Sequence, residues 1–176
     1  EVAKALNAPL DICLVRKLGV PGHKELAMGA IAAGGVQVLN EELLDGLRIS
    51  GHTIAEVGER ELKELQRRDL IYRGDRPLPN MRDRIVILVD DGLATGSTMR
   101  AAIGVVKQQQ PQRIIIAVPV APLDTCDRLR SEVDEVVCLM TPERFYAIGM
   151  WYEDFAQTTD EQVCQLLTVA TYHPQA

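Results

Sequence analysis

Two acidic residues and three hydroxyl residues of this 176-residue chain lie close enough in sequence to form one ligand site. Asp90 and Asp91 are adjacent, and Thr95, Ser97 and Thr98 follow a few positions later. Ionised carboxylates only accept hydrogen bonds, so they bind ligand hydroxyls well. Hydroxyl side chains and unpaired backbone N–H groups bind phosphate, so the later part of the stretch suits an anion. The combination predicts a ligand that carries both hydroxyls and a phosphate.

The residues around this stretch predict a strand, a loop and a helix. The run from Ile85 to Val89 is uniformly apolar, which is typical of a buried strand. After the loop, apolar residues recur at the spacing of one helix face, at Met99, Ala102, Ile103 and Val106. The loop therefore opens into a helix N-terminus, where the first N–H groups have no intrahelical partner.

Two glycines make the loop suitable for close contact with a phosphate. Gly92 and Gly96 let the backbone turn with positive φ and approach a ligand. Each hydrogen bond to a charged group contributes about 1.5–3 kcal/mol, more than the roughly 0.3–1 kcal/mol of a helix dipole. Ribose 5-phosphate matches the whole stretch, because its vicinal hydroxyls suit the acids and its phosphate suits the loop. A metal ion carried by the acids near a phosphate is the alternative.

Other nucleotide-binding and catalytic motifs are absent from the sequence. A Walker loop requires Gly-x-x-x-x-Gly-Lys-Ser/Thr, and this loop has neither that spacing nor the lysine. No Gly-x-Gly-x-x-Gly follows a strand, and no Gly-x-Ser-x-Gly nucleophile turn occurs. The remaining alternative is a plain strand-to-helix turn in which the two aspartates only cap the helix.

The sequence VILVDDGLATGST resembles the phosphoribosyl-pyrophosphate (PRPP) motif of type I phosphoribosyltransferases. The resemblance implies that Asp90 and Asp91 hold the ribose hydroxyls, and that Mg²⁺ is bound mainly through the substrate, with these two acids as its protein ligands. It also implies that five residues wrap the 5′-phosphate: Ala94, Thr95, Gly96, Ser97 and Thr98. In 6-oxopurine transferases an aspartate stands at the position of Ala94, so this loop is more similar to the adenine and orotate branches.

The same resemblance gives roles to residues nearer the N-terminus. Arg16 and Lys17 follow a strand predicted over residues 10–15, and they would complete the catalytic set by contacting the pyrophosphate of PRPP. A solvated strand end is the alternative for this pair. The glycine-rich stretch 19–35 has the composition of a mobile lid that excludes water. His23 and Lys24 lie on it and resemble the lysine and histidine of orotate-type catalytic loops, although a polar loop also carries such residues for solubility.

Aromatic residues near the C-terminus predict where an acceptor base would stack. Residues 144–155, RFYAIGMWYEDF, hold five of the seven aromatic residues of the chain. The segment is similar to one of oxopurine transferases in which an aromatic side chain stacks on the base. Phe145 or Tyr146 would then be the stacking residue, with Trp151 and Tyr152 nearby. A hydrophobic cluster at the edge of the sheet is the alternative for most of these side chains.

Strands and helices alternate through the second half of the chain. Strands are predicted at 113–120 and 135–140, with a helix at 124–131 between them. Capping boxes predict helices that start at Thr53 and near Thr159. The pattern predicts an α/β fold. With the resemblance, this becomes a doubly wound parallel sheet of the type I phosphoribosyltransferase kind, with helices on both faces and a small hood or lid. Its ligand belongs at the carboxyl ends of the strands.

Length and charge limit the partners and the location of the protein. The net charge of −6 argues against a nucleic-acid surface, and no apolar run is long enough to span a membrane. The four cysteines form no Cys-x-x-Cys pair, which favours free thiols in a reducing cytoplasm. The length suits a single domain over residues 1–176. Type I enzymes also have a strand and an Arg/Lys-Gly loop at a position upstream of Glu1, so we expect further residues there.

The sequence thus favours an enzyme that transfers ribose 5-phosphate from PRPP to a nitrogenous base and releases pyrophosphate. Its expected partners are PRPP and a small base, with a homo-oligomer left open. The alternative is a regulatory domain of the same fold that senses PRPP or a nucleotide and performs no transfer.

Overall fold

The computed structural model describes residues 1–77 and 79–171, without the side chains of Lys24, Glu25 and Thr171. It contains two three-stranded sheets and six α-helices within those residues. In chain order the elements are α1 (Val2–Ala5), β1 (Val15–Val20), β2 (His23–Ala32), β3 (Gln37–Leu39), α2 (Glu41–Leu47), α3 (Gly51–Arg73), β4 (Ile85–Val89), α4 (Ser97–Gln108), β5 (Arg113–Val120), α5 (Leu123–Arg130), β6 (Glu135–Met140) and α6 (Asp160–Thr171). Short 3₁₀ turns lie at Ala33–Gly35 and Ile148–Trp151.

The second half of the chain forms a parallel sheet in the order β4-β5-β6. The register aligns Leu88 with Ile116 and Val118 with Cys138, so the carboxyl ends of the three strands lie at one edge. Apolar residues of β5 alternate between buried and half-buried positions, and the buried ones face α4 and α5. The predicted α/β class with a parallel sheet is confirmed, and its three strands fall at the predicted residues.

The first half of the chain forms an antiparallel sheet in the order β1-β2-β3. The prediction of a strand over residues 10–15 was wrong, because pairing with β2 runs from Val15 to Val20 and places Arg16 and Lys17 inside the strand. Leu18 and Val20 are buried while Lys17 is exposed, an alternation typical of a β-strand. The stretch 19–35 is largely the β1–β2 hairpin, not an irregular loop, so its lid function stays a prediction.

Helix α4 lies between the two sheets and is buried on two sides. One side packs against the parallel sheet through Met99, Ala102, Ile103 and Val106. The other side packs Ala101 and Val105 against Ala30 and Ala32 of β2. Gly104 allows this approach, since a Cβ there would lie 3.1 Å from the Val36 side chain. Helix α4, which follows the candidate phosphate-binding loop, is therefore packed against both halves of the chain.

Helix α3 covers the other face of the antiparallel sheet, so that sheet has helices on both faces. The predicted start at Thr53 was wrong: the helix begins at Gly51, because the Ser50 hydroxyl accepts the Thr53 N–H at 3.1 Å. On its exposed face Glu59 pairs with Lys63, and Glu56 pairs with His52. Arg73, at the end of α3, is buried. It binds the Asp11 carboxylate and the Ile12 carbonyl, and so anchors the segment that precedes β1.

The outer face of the parallel sheet differs from the face that α4 and α5 cover. Several apolar side chains of this face are exposed, among them Ile85, Val89, Val137 and Leu139. Parallel sheets are usually covered on both faces. This face has the apolar side chains of a covered sheet, although it is exposed here.

The last helix begins as predicted, because Thr159 and Gln162 exchange side-chain to backbone hydrogen bonds. Leu167 of this helix is buried, whereas Leu166 is 60% exposed. Among residues 1–77 and 79–171, no helix combines the length and the apolar character needed to cross a membrane.

Candidate functional site

Asp90 and Asp91 follow β4 directly, at the carboxyl edge of the parallel sheet. Asp90 is half-buried and accepts the Asp91 backbone N–H at 3.0 Å, whereas Asp91 is exposed. Burial raises the pKa of Asp90 above its ordinary value, and the neighbouring negative charge of Asp91 adds to this, while the Asp91 N–H opposes it. The two acids thus differ in environment, and Asp90 ionises less readily than an ordinary aspartate.

The raised pKa of Asp90 predicts opposite pH trends for stability and for ligand binding. The folded chain binds this proton more tightly than the unfolded chain, so stability falls as pH rises from the ordinary value of 3.8 through the raised pKa. Binding of hydroxyl donors needs the ionised acid, so affinity rises over the same window. Asp90→Asn should remove both trends, as measured by denaturant unfolding and calorimetric titration across that range. If the pH dependence of stability and affinity is retained in Asp90→Asn, a group other than Asp90 takes up the proton.

The loop after the acids is bonded to the end of β5, and the residue after β5 is bonded in turn to the end of β6. Leu93 N–H donates to the Val120 carbonyl at 3.0 Å, and Ala121 N–H donates to the Met140 carbonyl at 3.2 Å. Gly92 is packed so closely that a Cβ would lie 2.9 Å from the Ile148 side chain and 3.0 Å from the Val120 carbonyl oxygen. The sequence therefore needs glycine at position 92 for close approach to β5, not for a left-handed turn.

The second half of the loop presents donors at the start of α4. Gly96 has a φ of 76°, a left-handed conformation that glycine adopts without strain. The Thr95 and Ser97 hydroxyls lie 3.0 Å apart, and the Thr95 hydroxyl also accepts the Ser97 N–H at 3.4 Å. Ala94 and Thr95 are exposed, and Ser97 and Thr98 are half-buried. The predicted loop residues are thus together, with backbone and hydroxyl donors beside the two acids.

Thr125 of α5 supports this loop, and the sequence interpretation missed it. Its hydroxyl donates to the Ala94 carbonyl at 2.9 Å, and its side chain lies beneath Gly96. Thr125 is one of the buried polar residues of the described chain. The available signal was its position: a polar residue just beyond β5 lies at the same sheet edge as Asp90 and Asp91.

The basic residues predicted for the site lie in the antiparallel sheet. Arg16 donates to the Glu61 carboxylate of α3 at 2.7 Å, and Lys17 is exposed. His23 starts β2 and pairs with Val20 across the hairpin. The side chain of Lys24 lies outside the described part of the structure. Among the described residues no hydrogen bond or ion pair joins Arg16, Lys17 or His23 to the acids, so their roles stay predictions.

The C-terminal aromatic segment lies against the acids. The Tyr152 hydroxyl donates to the Asp91 carbonyl at 2.6 Å, and its ring contacts Phe155 with centroids 5.2 Å apart. Partial burial, and then the charges of Asp91 and Asp90, raise the pKa of Tyr152. Of the predicted stacking residues, Phe145 is half-buried, and Tyr146 and Trp151 are exposed. The segment is thus beside the site: Tyr152 is hydrogen-bonded to Asp91, and Ile148 packs against Gly92.

A comparison with known proteins agrees with this arrangement. The family model described as phosphoribosyl transferase domain matches residues 21–149. The chain belongs to this family. The match confirms the resemblance found in the PRPP-type motif, and it runs from the β1–β2 turn through β6 into the aromatic segment.

Relatives of this phosphoribosyl transferase domain include proteins of Mycobacterium tuberculosis and Thermus thermophilus. Proteins of Mycobacterium tuberculosis strains CDC 1551 and H37Rv, provisionally named phosphoribosyl transferases, are 44% identical over 95% of this chain. The chain spans 38% of the length of these relatives. The crystal structure of TT1426 from Thermus thermophilus matches with a TM-score of 0.77 and 42% identity, over 94% of this chain and 78% of that chain. The predicted fold is therefore confirmed.

Tyr152→Phe tests whether the aromatic segment positions the acids in this phosphoribosyl transferase domain. The change removes one hydrogen bond to the Asp91 carbonyl and keeps the ring contact with Phe155. A bond of this kind contributes about 0.5–1.5 kcal/mol. We expect PRPP affinity to fall about twofold to tenfold by calorimetric titration, while Tyr146→Phe, at an exposed ring, leaves it unchanged. Equal effects of both changes would contradict a positioning role.

Proposed function

We propose that this chain binds PRPP through residues 90–98 and transfers its ribose 5-phosphate to a nitrogenous base, with release of pyrophosphate. One observation carries the proposal: two carboxylates and a donor-rich helix start are fixed side by side at the carboxyl edge of a parallel sheet. Carboxylates repel an anionic group, whereas the loop donors attract one, so few ligands suit both. A ribose phosphate satisfies both, because hydroxyls and phosphate are separate groups of one molecule.

In this proposal each group of residues binds a different part of PRPP. Asp90 and Asp91 accept the ribose hydroxyls and hold the ring as positive charge develops on it. The backbone and hydroxyls of Ala94, Thr95, Gly96, Ser97 and Thr98 bind the 5′-phosphate. Arg16 and Lys17 would stabilise the leaving pyrophosphate. Fixed charges and dipoles of this kind are usually the largest contribution to catalysis, since they need no rearrangement during the reaction.

The donor set fits Mg²⁺ as a cofactor that arrives with the substrate. Among the described residues no third histidine, cysteine, aspartate or glutamate joins Asp90 and Asp91 in a metal-binding group. Mg²⁺ usually keeps several waters and binds through one or two carboxylates and substrate phosphates. When bound, it would neutralise charge on the pyrophosphate.

The acceptor base would lie near the aromatic segment beside Asp91. Tyr152 anchors that segment to the site, and Trp151 and Tyr146 present exposed rings close to it in sequence. Aromatic rings bind flat bases by stacking. Ala94 supplies no carboxylate for an oxopurine ring, which favours an adenine-like or orotate-like acceptor. We also expect a cytoplasmic location and leave a homo-oligomer open.

Pyrophosphate release tests the proposal directly. The purified full-length protein is mixed with Mg²⁺, PRPP and single bases that include adenine, hypoxanthine, guanine, orotate and uracil. We expect base-dependent pyrophosphate and the matching nucleotide for at least one acceptor. PRPP that does not bind at all would refute the proposal.

A second candidate, a PRPP- or nucleotide-sensing domain without transfer, is favoured by one contact. Arg16 is already paired with Glu61, which is largely buried, so this cation is not free for pyrophosphate in the described structure. The same experiment separates the two functions. PRPP binding without pyrophosphate release for every acceptor would support the sensor.

A further inference from the structure

We propose that Thr125 is a positioning residue that aims one backbone N–H of the loop at the phosphate. This inference rests on the proposed function, in which residues 94–98 bind the 5′-phosphate of PRPP. It adds a residue from α5, outside the PRPP-type motif, and gives it a single role, which is to fix the orientation of the peptide that joins Ala94 and Thr95.

The hydrogen-bond pattern decides which way the Thr125 hydroxyl points. A threonine hydroxyl has one proton to donate and two lone pairs to accept with. Arg128 Nη2, which can only donate, lies 3.2 Å from Thr125 Oγ1 and occupies a lone pair. The proton is therefore available to the Ala94 carbonyl oxygen at 2.9 Å. Asp124 holds the Arg128 guanidinium in turn, at 3.2 Å.

Fixing the Ala94 carbonyl also fixes the next N–H. The peptide bond is planar and trans, so the carbonyl of Ala94 and the N–H of Thr95 point in opposite directions. Because Thr125 is 2% exposed and draws the carbonyl toward α5, the Thr95 N–H points away from the protein body. This N–H donates no hydrogen bond within residues 1–77 and 79–171. It is thus a free donor beside the Thr95 and Ser97 hydroxyls.

The methyl group of Thr125 makes a second contact with the loop. A Cβ at Gly96 would lie 3.2 Å from Thr125 Cγ2, so the side chain packs directly under the left-handed glycine. The hydroxyl and the methyl therefore act on successive parts of the loop. Substitutions can separate them, since valine keeps the methyl contacts and serine keeps the hydroxyl.

The test compares Thr125→Val with Thr125→Ser in the full-length protein. Calorimetric titration with ribose 5-phosphate should show affinity about tenfold lower or more in Thr125→Val, the loss of one hydrogen bond to a charged group. Thr125→Ser should stay within about threefold of the original chain. In ¹⁵N spectra, ribose 5-phosphate should shift the Thr95 amide in the original chain and in Thr125→Ser. In Thr125→Val it should no longer shift the Thr95 amide, whereas the amides of Gly96, Ser97 and Thr98 should still shift.

The outcomes separate this inference from the proposed function. If the original chain binds neither ribose 5-phosphate nor PRPP, the proposed function fails. If it binds and Thr125→Val binds equally well with the Thr95 shift retained, the inference alone fails. A uniform loss of all loop shifts in both variants would mean a general structural role and would also overturn it. If Thr125→Val does not fold, hydrogen exchange of the Thr95 amide is measured in the original chain with and without ribose 5-phosphate. The proposed contact predicts slower exchange with the ligand, and an unchanged rate would contradict it.

Discussion

Replacing Asp90 and Asp91 together by asparagine is expected to lower PRPP affinity about a hundredfold or more. Both side chains keep their size, but the charges that strengthen hydrogen bonds from ribose hydroxyls are lost. Each bond to a charged group contributes about 1.5–3 kcal/mol, so weakening two of them removes a large part of the affinity. Calorimetric titration with PRPP and Mg²⁺ measures the loss, and pyrophosphate release should fall with it.

A matched control changes the same total charge away from the site. Asp75 and Asp83 are exposed in the segment before β4, so Asp75→Asn with Asp83→Asn removes two negative charges there. We expect unchanged PRPP affinity in this control, because surface charges this exposed contribute little. If affinity in Asp90→Asn with Asp91→Asn equals that of the original chain, the acidic pair has no part in binding.

Ile103→Ala is expected to cause the largest loss of stability among single substitutions considered for this chain. Ile103 is 2% exposed and lies in the core between α4 and the parallel sheet. Removing its branched side chain leaves a cavity and costs about 2–5 kcal/mol. Thermal unfolding should then occur about 5–15 °C lower in a chain of this size. Weaker ligand binding should follow, because α4 carries the loop.

Val169→Ala is the control for this stability prediction. Val169 is also a branched apolar residue in a helix, but it is 64% exposed on α6. Surface changes of this kind usually alter stability by less than about 0.5 kcal/mol. Similar losses for both variants would show that the core around α4 is less tightly packed than its burial indicates.

Sequence reasoning succeeded where local pattern and tertiary structure agree. The apolar runs of β4, β5 and β6 are short, continuous and bounded by polar residues or proline, so their limits can be predicted from neighbouring residues alone. The same holds for the acids and the loop, because a strand, an acidic pair and a helix start are fixed in order by the chain itself. The positions of the acids and the loop between β4 and α4 could thus be predicted from about twenty consecutive residues, while their roles stay predictions.

The antiparallel half was predicted poorly because its structure depends on pairing between distant residues. The apolar run of residues 10–15 suggested a strand, but β1 begins at Val15, where a partner strand is available. Residues 19–35 have a loop-like composition, yet Gly29 and Ala30 are small because β3 and α4 approach β2 closely. Helix α2 has an acidic sequence without a clear apolar pattern, and it starts where Asn40 caps it by accepting the Leu43 N–H at 3.2 Å.

Thr125 illustrates why part of a site escapes sequence analysis. Apart from its position just beyond β5, nothing in LDTCDRLR, the sequence of α5, distinguishes this threonine from a surface residue. Its burial and its bond to Ala94 arise only when the ends of β4 and β5 come together, thirty-one positions apart in the chain. Motif analysis finds residues that touch a ligand, whereas residues that orient the motif need the assembled fold.

The position of α4 between the two sheets predicts a steep gradient of hydrogen exchange along a few residues. Amides of residues 101–106 lie in a helix buried on two sides, so they should exchange only when the whole domain unfolds. The exposed amide of Thr95, a short way before them, should exchange almost freely without ligand. Slow and fast amides thus lie within one short peptide. A bound phosphate should slow exchange at the loop end alone, so a single peptide reports both domain stability and ligand occupancy.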